Sequence, residues 1–417
     1  MSSKIFDKYF SKHPLYKSDN ELRTAMDLRV VIPVYLEEDY LFDTLKSLEV
    51  AASSVAEFIE VVLVFNYASS APVSIKTRQA ALYESIKSQK DQFSESYTLS
   101  LIKAFNLPDK RAGAGLARKI GMDYAAYTFV NAANFTGPII SLDADCKVES
   151  NYFTEVLKVF KQNKTKACTI YFEHPIDDLS SAQSEAIMQY ELHLRYYKQA
   201  LQWTEFPYAY HTVGSCFAVS AEYYIRAGGM PRKQAGEDFY FLQKVIPMGH
   251  FTELNTTCVY PSSRTSERVP FGTGPSVATL MEANEEYYSY NWQAFVDLKA
   301  FFCEKEKMYR ISNESYTDLL NDLSGPLRSY LLNSDFYSEL ESLNQNCSSI
   351  EVFNKRFFAI FNAFKVVKYL NYVHVHFFEK VPVFDLALDF LESSGKETEG
   401  LDDTQSLLLY FRQIEKE

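Results

Sequence analysis

The chain has 417 residues, a hydrophobic content of 47% and a formal net charge of −12. This length fits one large domain and a smaller one, with enough apolar residues for a sizeable core. The negative charge argues against a nucleic-acid partner and against electrostatic attachment to anionic membranes. An acidic ligand therefore has to meet a local basic patch or a metal ion.

The sequence also bears on the compartment. The N-terminal residues lack the apolar core of a signal peptide, and no apolar run is long enough to span a bilayer. The cysteines stand far apart and form no C-x-x-C pair, which is typical of reduced thiols in a cytoplasmic protein. We expect a cytoplasmic protein without a transmembrane segment, and peripheral contact with the inner face of the membrane stays open.

Strand and helix patterns alternate along the first part of the chain. After a polar lead-in over residues 1–26, short apolar runs predict strands, and helical periodicity predicts the segments between them. The strands are predicted at 29–34, 58–65, 97–105, 139–142 and 166–171, and the helices at 41–48, 74–89, 112–129 and 153–160. This alternation is typical of an α/β protein with a parallel, doubly wound sheet.

The pattern changes after residue 180. The later elements are a long helix, a loop leading into a strand, a helix, a short strand and a polar loop, predicted at 181–203, 208–219, 236–246, 256–260 and 261–274. From about residue 276 to the end, the chain is predicted to be helical and aromatic-rich. We therefore divide it into an α/β domain, residues 1–275, and a helical domain, residues 276–417.

Two carboxylates follow the fourth predicted strand. Residues 139–142 are a short apolar run, and Asp143 and Asp145 come directly after it. If extended geometry continues through Asp145, both side chains point the same way, because side chains alternate along a strand. Paired carboxylates suit Mg²⁺ or Mn²⁺ carrying a substrate phosphate. Acids also occur at ordinary helix starts, but Ser150 can cap the helix that follows.

Four segments, taken in order, carry a resemblance to a known family. They are Val31-Ile32-Pro33-Val34-Tyr35, Leu142-Asp143-Ala144-Asp145, Gly228-Gly229-Met230-Pro231 and Gly236-Glu237-Asp238. Together they resemble the family-2 glycosyltransferases of the GT-A fold, bacterial type, over residues 29 to about 275. The resemblance implies a Rossmann-like, mostly parallel sheet flanked by helices, to which a helical C-terminal region is appended.

The resemblance implies a nucleotide-sugar site after the first two strands. Pro33, Val34 and Tyr35 match the turn that lines the nucleobase pocket, and Glu37 fits the same pattern. Tyr35 by itself is equally well explained as a core residue at a strand end. Asn66 stands where the family has a carboxylate that holds the nucleoside, so the nucleotide stays open, with a UDP-sugar favoured.

Further residues are implied on the diphosphate. Gly115 and Arg118 match the helix start beside the nucleotide, where backbone N–H groups and a guanidinium favour phosphate; a solvated helix face is the alternative for Arg118. In the family the first Asp of D-x-D binds ribose and the second binds the metal, which maps to Asp143 and Asp145, with Ala144 between them. The polar loop offers Arg264 and Arg268 as a phosphate lid or, equally, as a solvated charged loop.

The acidic pair Glu237-Asp238 matches the family's acceptor side, where the Asp is the usual catalytic base. A carboxylate at a helix N-terminus is kept ionised and can take a hydroxyl proton. The implied function is a metal-dependent, inverting glycosyltransferase in glycan or polysaccharide synthesis. It uses Mn or Mg, a nucleotide-diphosphate sugar, and a glycan or lipid-linked glycan acceptor.

Two other classes stay open. A non-catalytic nucleotide-sugar-binding protein fits the missing carboxylate at Asn66, but retention of Asp145 and Asp238 argues against it. A nucleotidyltransferase is also α/β with a divalent ion, yet such enzymes usually have a basic, glycine-rich loop after the first strand. Here that loop, residues 35–39, is acidic. Release of nucleoside diphosphate, as against pyrophosphate, distinguishes the classes.

Overall fold

The computed structural model describes residues 3–417 apart from 22, 24, 94, 163, 178, 234–235, 266–271 and 284. The strands are β1 (Leu28–Val34), β2 (Ile59–Ala68), β3 (Thr98–Leu107), β4 (Pro138–Ser141), β5 (Cys146–Val148), β6 (Ala167–Phe172), β7 (Phe217–Ser220), β8 (Phe251–Pro261), β9 (Tyr288–Ser289) and β10 (Val381–Pro382). Each strand predicted from the sequence is present in the structure, and β8 begins at Phe251, earlier than the predicted residue 256.

The α-helices of the described chain are α1 (Ser3–Phe10), α2 (Leu41–Ala52), α3 (Val73–Ser88), α4 (Ala114–Asn131), α5 (Tyr152–Gln162), α6 (Ser181–Trp203), α7 (Ala221–Arg226), α8 (Glu237–Val245), α9 (Thr273–Ala283), α10 (Trp292–Cys303), α11 (Asn313–Asp322), α12 (Gly325–Leu332), α13 (Phe336–Gln345), α14 (Ile350–Ile360), α15 (Ala363–His376), α16 (Val383–Ser393) and α17 (Thr404–Lys416). Short 3₁₀ helices lie at Lys90–Phe93, Ile246–Met248 and Lys305–Met308. In the described part of the chain, none of the helices combines the length and apolar character needed to cross a bilayer.

The chain divides into two compact units. The first comprises residues up to 177, residues 212–275 and Lys416, and the second comprises 178–211, 276–415 and Glu417. One junction between the two units lies after residue 275. Residues 178–211, which we predicted in the first domain, belong to the second unit instead.

The reason for this difference is the packing of α6. Within the second unit α6 lies against α10 and α16. Tyr196 of α6 makes edge contacts with Phe295 and Phe390, with ring centroids 5.8 and 6.3 Å apart, and its hydroxyl donates to the Tyr290 carbonyl at 2.9 Å. Aromatic contacts of this kind add to the stabilisation from area burial. Sequence order places α6 among the strands, whereas its apolar face determines where it packs.

One mixed sheet organises the first unit. Among the described residues its strand order is β3-β2-β1-β4-β7-β6-β8-β5. The strands β3, β2, β1 and β4 are parallel neighbours, as are β6 and β8. β7 is antiparallel to β4 and β6, and β5 is antiparallel to β8. The predicted α/β sheet flanked by helices is confirmed. It is mixed because β7 re-enters beside β6 in the opposite direction.

The parallel part of the sheet is buried along its length. All seven residues of β1 are buried, and β2 is buried except at its last residue. Continuous apolar strands of this kind are typical of a sheet covered on both faces. Each fully buried Val, Leu or Ile side chain contributes about 1.5–3 kcal/mol relative to an exposed one, so β1 and β2 form a rigid base for the loops at their ends.

A buried ion pair lies at the amino end of these strands. Arg29 Nε donates to Glu60 Oε2 at 2.7 Å, and the two side chains are 0% and 1% exposed. Ser100 Oγ donates to the second Glu60 oxygen at 2.6 Å, and the Arg29 guanidinium lies 4.2 Å from the centre of the Phe129 ring. The two charges therefore compensate each other, while the buried Arg29 Nη1 has no hydrogen-bond partner among the described residues. The ion pair lies at the opposite end of the strands from the loops described below.

The second unit has its own buried charge cluster between α6 and α17. Arg412 Nε and Nη2 donate to the two oxygens of Glu191 at 2.7 and 2.8 Å. Arg195 donates to Glu191 at 2.9 Å and to Glu415. Burial acts to raise the pKa of Glu415, but His211 and Arg195 outweigh it and lower this pKa to about 2. These ion pairs tie the last helix to α6.

Candidate active site

The D-x-D segment lies at the carboxyl end of the parallel strands, as predicted, but in a turn. β4 ends at Ser141, and the Cys146 N–H donates to the Asp143 carbonyl at 3.3 Å. The extended backbone that would make Asp143 and Asp145 point the same way therefore does not continue beyond β4. Asp143 pairs with Arg118, and Asp145 pairs with Arg264.

Side chains from two other elements anchor this turn. Thr44 Oγ1, on α2, donates to the Ala144 carbonyl at 2.8 Å. Ser141 Oγ donates to the Gly214 carbonyl at 2.6 Å. The structure therefore uses Ala144 through its backbone. Thr44 and Gly214 were not predicted here, because neither carries a local sequence signal for such a role.

The first of two arginine clusters, the Arg118 cluster, comprises Arg118, Asp143, Glu237 and Asp238. Arg118 Nη2 donates to Asp143 Oδ1 at 2.6 Å, and Nη1 donates to Glu237 Oε1. The Arg118 side chain is 4% exposed, so the solvated helix face considered for it is wrong. Its buried Nε has no hydrogen-bond partner among the described residues. The Arg118 guanidinium, on α4, thus contacts the first residue of α8.

Asp238 is an acid of the Arg118 cluster whose pKa is shifted from its usual value. Burial raises its pKa to about 6, and the neighbouring charges of Glu237 and Asp143 act in the same direction. Arg118 and the Phe239 N–H, which donates to Asp238 Oδ1 at 2.7 Å, act in the opposite direction. A carboxylate with a pKa near 6 is a better proton acceptor than an ordinary Asp and is still ionised at neutral pH.

Glu237 differs from its neighbour in its hydrogen bonding. It is buried, and it accepts a charge-assisted hydrogen bond from Arg118. The Arg118 guanidinium therefore holds the Glu237 carboxylate in place. Of the two acids, Asp238 is therefore the better candidate for a base.

Two glycines let these elements approach. A Cβ at Gly115 would lie 2.3 Å from the Lys233 carbonyl oxygen and 3.0 Å from Glu237 Cγ. A Cβ at Gly214 would lie 2.9 Å from Asp238 Oδ2 and 3.1 Å from Arg118 Nη2. Real Cβ atoms essentially never approach below 3.0 Å. Gly115, predicted on the nucleotide, thus makes room for the chain that leads into α8, and Gly214 makes room for Asp238.

The second cluster, the Arg264 cluster, comprises Arg264, Asp145 and Glu37. Arg264 Nε donates to Asp145 Oδ2 at 2.9 Å, and Nη2 donates to Glu37 Oε2 at 2.7 Å. The guanidinium lies 4.1 Å from the centre of the Tyr40 ring. The Arg264 side chain is 18% exposed, against 4% for Arg118. The predicted partner Arg268 lies outside the described residues.

The turn after β1 is held by two amides. Pro33 and Val34 are buried within β1, and the Val34 carbonyl accepts from Asn66 Nδ2 at 3.0 Å and from Gln79 Nε2 at 2.6 Å. The Leu36 N–H donates to Gln79 Oε1 at 2.9 Å. Asn66, predicted at a base edge, is 3% exposed and supports this turn. Tyr35 lies in the turn itself, and Gln79 was missed because it sits on a polar helix.

The carboxylates near the D-x-D turn can be compared with the ligands that a divalent metal ion requires. In the described ranges, no group of three or more His, Cys, Asp or Glu side chains is arranged to hold a metal. Two carboxylates, Asp145 and Glu37, nevertheless converge on one cation, the Arg264 guanidinium. Mg²⁺ is usually held by one or two carboxylates together with waters and substrate phosphates. The pair fits that requirement, with a guanidinium in the cation's place.

Comparisons with known sequences and with solved structures gave different results. No family model matches it, and no curated protein matches it. Similar solved structures include S. aureus TarS 1-349 with UDP-GlcNAc, at 12% identity and a TM-score of 0.39, covering 94% of this chain and 91% of that one. They also include the mannosyltransferase PcManGT from Pyrobaculum calidifontis with GDP-Man and Mn²⁺, at 12% identity and a TM-score of 0.33, covering 99% and 96%.

A third similar structure is GalNAc-T7 with UDP, GalNAc and Mn²⁺, at 13% identity and a TM-score of 0.35, covering 68% of this chain and 50% of that one.

Proposed function

We propose that this protein is an inverting glycosyltransferase that moves a sugar from a nucleotide-diphosphate sugar to an acceptor hydroxyl. The observation that carries the proposal is the convergence of Asp238, Glu237 and Asp143, the first acid of D-x-D, around the Arg118 guanidinium. Burial at this place raises the pKa of Asp238 to about 6. A poised base beside a predicted nucleotide-binding acid is the combination that a single displacement requires.

In the proposed reaction Asp238 accepts the proton of the acceptor hydroxyl. That oxygen forms a bond to the anomeric carbon, the bond from this carbon to the diphosphate oxygen breaks, and its electron pair leaves with the nucleoside diphosphate. One displacement at one carbon inverts its configuration. Glu237 acts indirectly, by holding Arg118 against α8 through their ion pair. Arg118 in turn holds Asp143, whose side chain is 39% exposed and available to a ribose hydroxyl.

The donor end is proposed at the turn after β1 and at the Arg264 cluster. Tyr35 would lie against the nucleobase, and the amides of Asn66 and Gln79 keep its turn in place. Asp145 and Glu37 would hold a divalent ion, which when bound supplies positive charge to the leaving diphosphate. The charge of Arg264 lies in the same region and offers hydrogen bonds to phosphate. A UDP-sugar is the favoured donor, and a glycan or lipid-linked glycan the favoured acceptor.

The test is product analysis over a panel of nucleotide sugars, with Mn²⁺ or Mg²⁺ present. We expect one donor to raise the melting temperature and to be consumed with release of nucleoside diphosphate. Asp143→Ala should weaken nucleotide binding more than it changes the metal requirement. Asp145→Ala should remove metal dependence together with activity. Release of pyrophosphate would establish a nucleotidyltransferase instead, and donor binding without turnover over a broad acceptor panel would establish a binding protein.

A further inference from the structure

The Arg264 cluster contains a contact that the proposed reaction does not require. One guanidinium bridges Asp145 and Glu37, with Nη2 2.6 Å from Asp145 Oδ2 and 2.7 Å from Glu37 Oε2. These two acids come from different parts of the sheet edge, the turns after β4 and after β1. They are brought together only in the folded protein, and in the structure they share this cation.

Without a cation between them, the two carboxylates would repel each other at close range. Glu37 is 8% exposed and Asp145 is 21% exposed, so water screens the pair only in part. The pair thus forms a site for one positive group, and the guanidinium is one of the groups that can fill it.

We propose that Arg264 and a divalent cation compete for the Asp145–Glu37 pair. A hard cation takes its protein ligands from one or two carboxylates, and these are the two that Arg264 holds. Entry of the ion requires the guanidinium to leave both oxygens, since a cation of this type and the guanidinium cannot share them. Arg264 therefore acts as a built-in competitor that keeps the metal affinity of the nucleotide-free protein low.

Displacement of Arg264 by a divalent cation would also favour the binding of metal and nucleotide together. Once displaced, the guanidinium has lost its two carboxylate acceptors, and a diphosphate offers it equivalent oxygens. The phosphate part of this inference rests on the proposed function. The competition for Asp145 and Glu37 does not, because it needs only the metal and the protein. Arg118 provides no such exchange, since it is buried and fixed by two acids of its own.

The experiment measures Mn²⁺ binding to the nucleotide-free full chain, from the electron paramagnetic resonance signal of free Mn²⁺. Arg264→Gln should bind Mn²⁺ about tenfold more tightly than wild type, because a charge-assisted competitor is removed. Arg264→Lys should fall between them, since an ammonium keeps the charge but cannot bridge both carboxylates in the same way. Arg78→Gln is the matched control: it removes an arginine that pairs with the neighbouring acid Glu38, at 3.1 Å, and should bind as wild type.

Equal Mn²⁺ affinity in wild type, Arg264→Gln and Arg264→Lys would overturn the competition, provided that circular dichroism shows folded proteins. If Arg264→Gln does not fold, the comparison of Arg264→Lys with wild type decides. A gain in affinity that persists in the double variant Arg264→Gln, Asp145→Asn would also overturn it, because the ion would then bind elsewhere. Failure of the proposed function is visible separately, as absence of nucleoside diphosphate release whatever the Mn²⁺ affinities are.

Discussion

In each of the two arginine clusters beside the D-x-D turn, one arginine pairs with two carboxylates, but the two arginines differ in exposure. Arg118 is 4% exposed and joins Asp143 to Glu237, while Arg264 is 18% exposed and joins Asp145 to Glu37. A buried ion pair is costly to break, because it leaves an uncompensated charge, whereas a partly hydrated pair can exchange partners. We propose that the Arg118 cluster positions groups and that the Arg264 cluster takes up ligands.

The largest effect on the reaction rate is expected in the Arg118 cluster. Asp238→Asn keeps the size of the side chain but cannot accept a proton, and general-base assistance is worth ~10²- to 10⁴-fold in rate. We expect kcat to fall by at least about two orders of magnitude with donor binding little changed, as measured by steady-state kinetics and by nucleotide titration.

Glu237→Gln is the matched variant for this measurement. It should affect acceptor affinity or local structure more than chemistry, because Glu237 is held by Arg118. If Glu237→Gln is inactive while Asp238→Asn is near normal, the two roles are reversed. If both variants keep full transfer, the base lies elsewhere.

Arg118→Gln tests the positioning role itself. It leaves Asp143, Glu237 and Asp238 without their shared cation, so we expect a loss of about 3–5 kcal/mol in the free energy of unfolding, measured by urea denaturation. The matched control is Arg29→Gln, which breaks the buried pair with Glu60 at the other end of the same sheet. Arg29→Gln should lose comparable stability but keep kcat, whereas Arg118→Gln should lose both. Equal kcat in the two variants would reduce Arg118 to a structural residue.

The pH dependence of kcat/KM sharpens the same point. Asp238 with a pKa of about 6 is protonated below that pH and can no longer act as a base. The rate should therefore fall about tenfold per pH unit on the acid side of about pH 6. Glu237→Gln removes a negative neighbour and should move this limb to lower pH, while Arg118→Gln removes a positive neighbour and should move it to higher pH. A limb that stays in place in both variants would belong to another group.

The smallest loss of stability is expected at the Arg264 cluster. Arg264→Gln should lower the free energy of unfolding by only about 1 kcal/mol, because its pairs are partly exposed. Urea denaturation beside Arg118→Gln gives the comparison directly. A loss as large as that of Arg118→Gln would place both arginines in the same class and remove the contrast between them.

The sequence by itself determined the elements and the acids. The alternation of apolar runs and helical periodicity predicted the strands, because local spacing decides which face of a segment can be buried. The bounds of α6 were predicted correctly. The start of this helix has a local signal, because Ser180 caps it, with Oγ accepting from the Gln183 N–H at 3.3 Å. The D-x-D and Gly-Glu-Asp motifs predicted Asp143, Asp145, Glu237 and Asp238 as candidate site residues.

Only the tertiary structure decided which groups face these acids. Arg118 and Glu237 are 119 residues apart, and Arg264 and Glu37 are 227 apart, so no local pattern relates them. The two acids of D-x-D diverge because a turn, anchored by Thr44, replaces the extended backbone that their spacing suggested. The raised pKa of Asp238 has the same origin: burial and neighbouring charges set it, and these depend on how α4, α8 and the β4 turn meet in space.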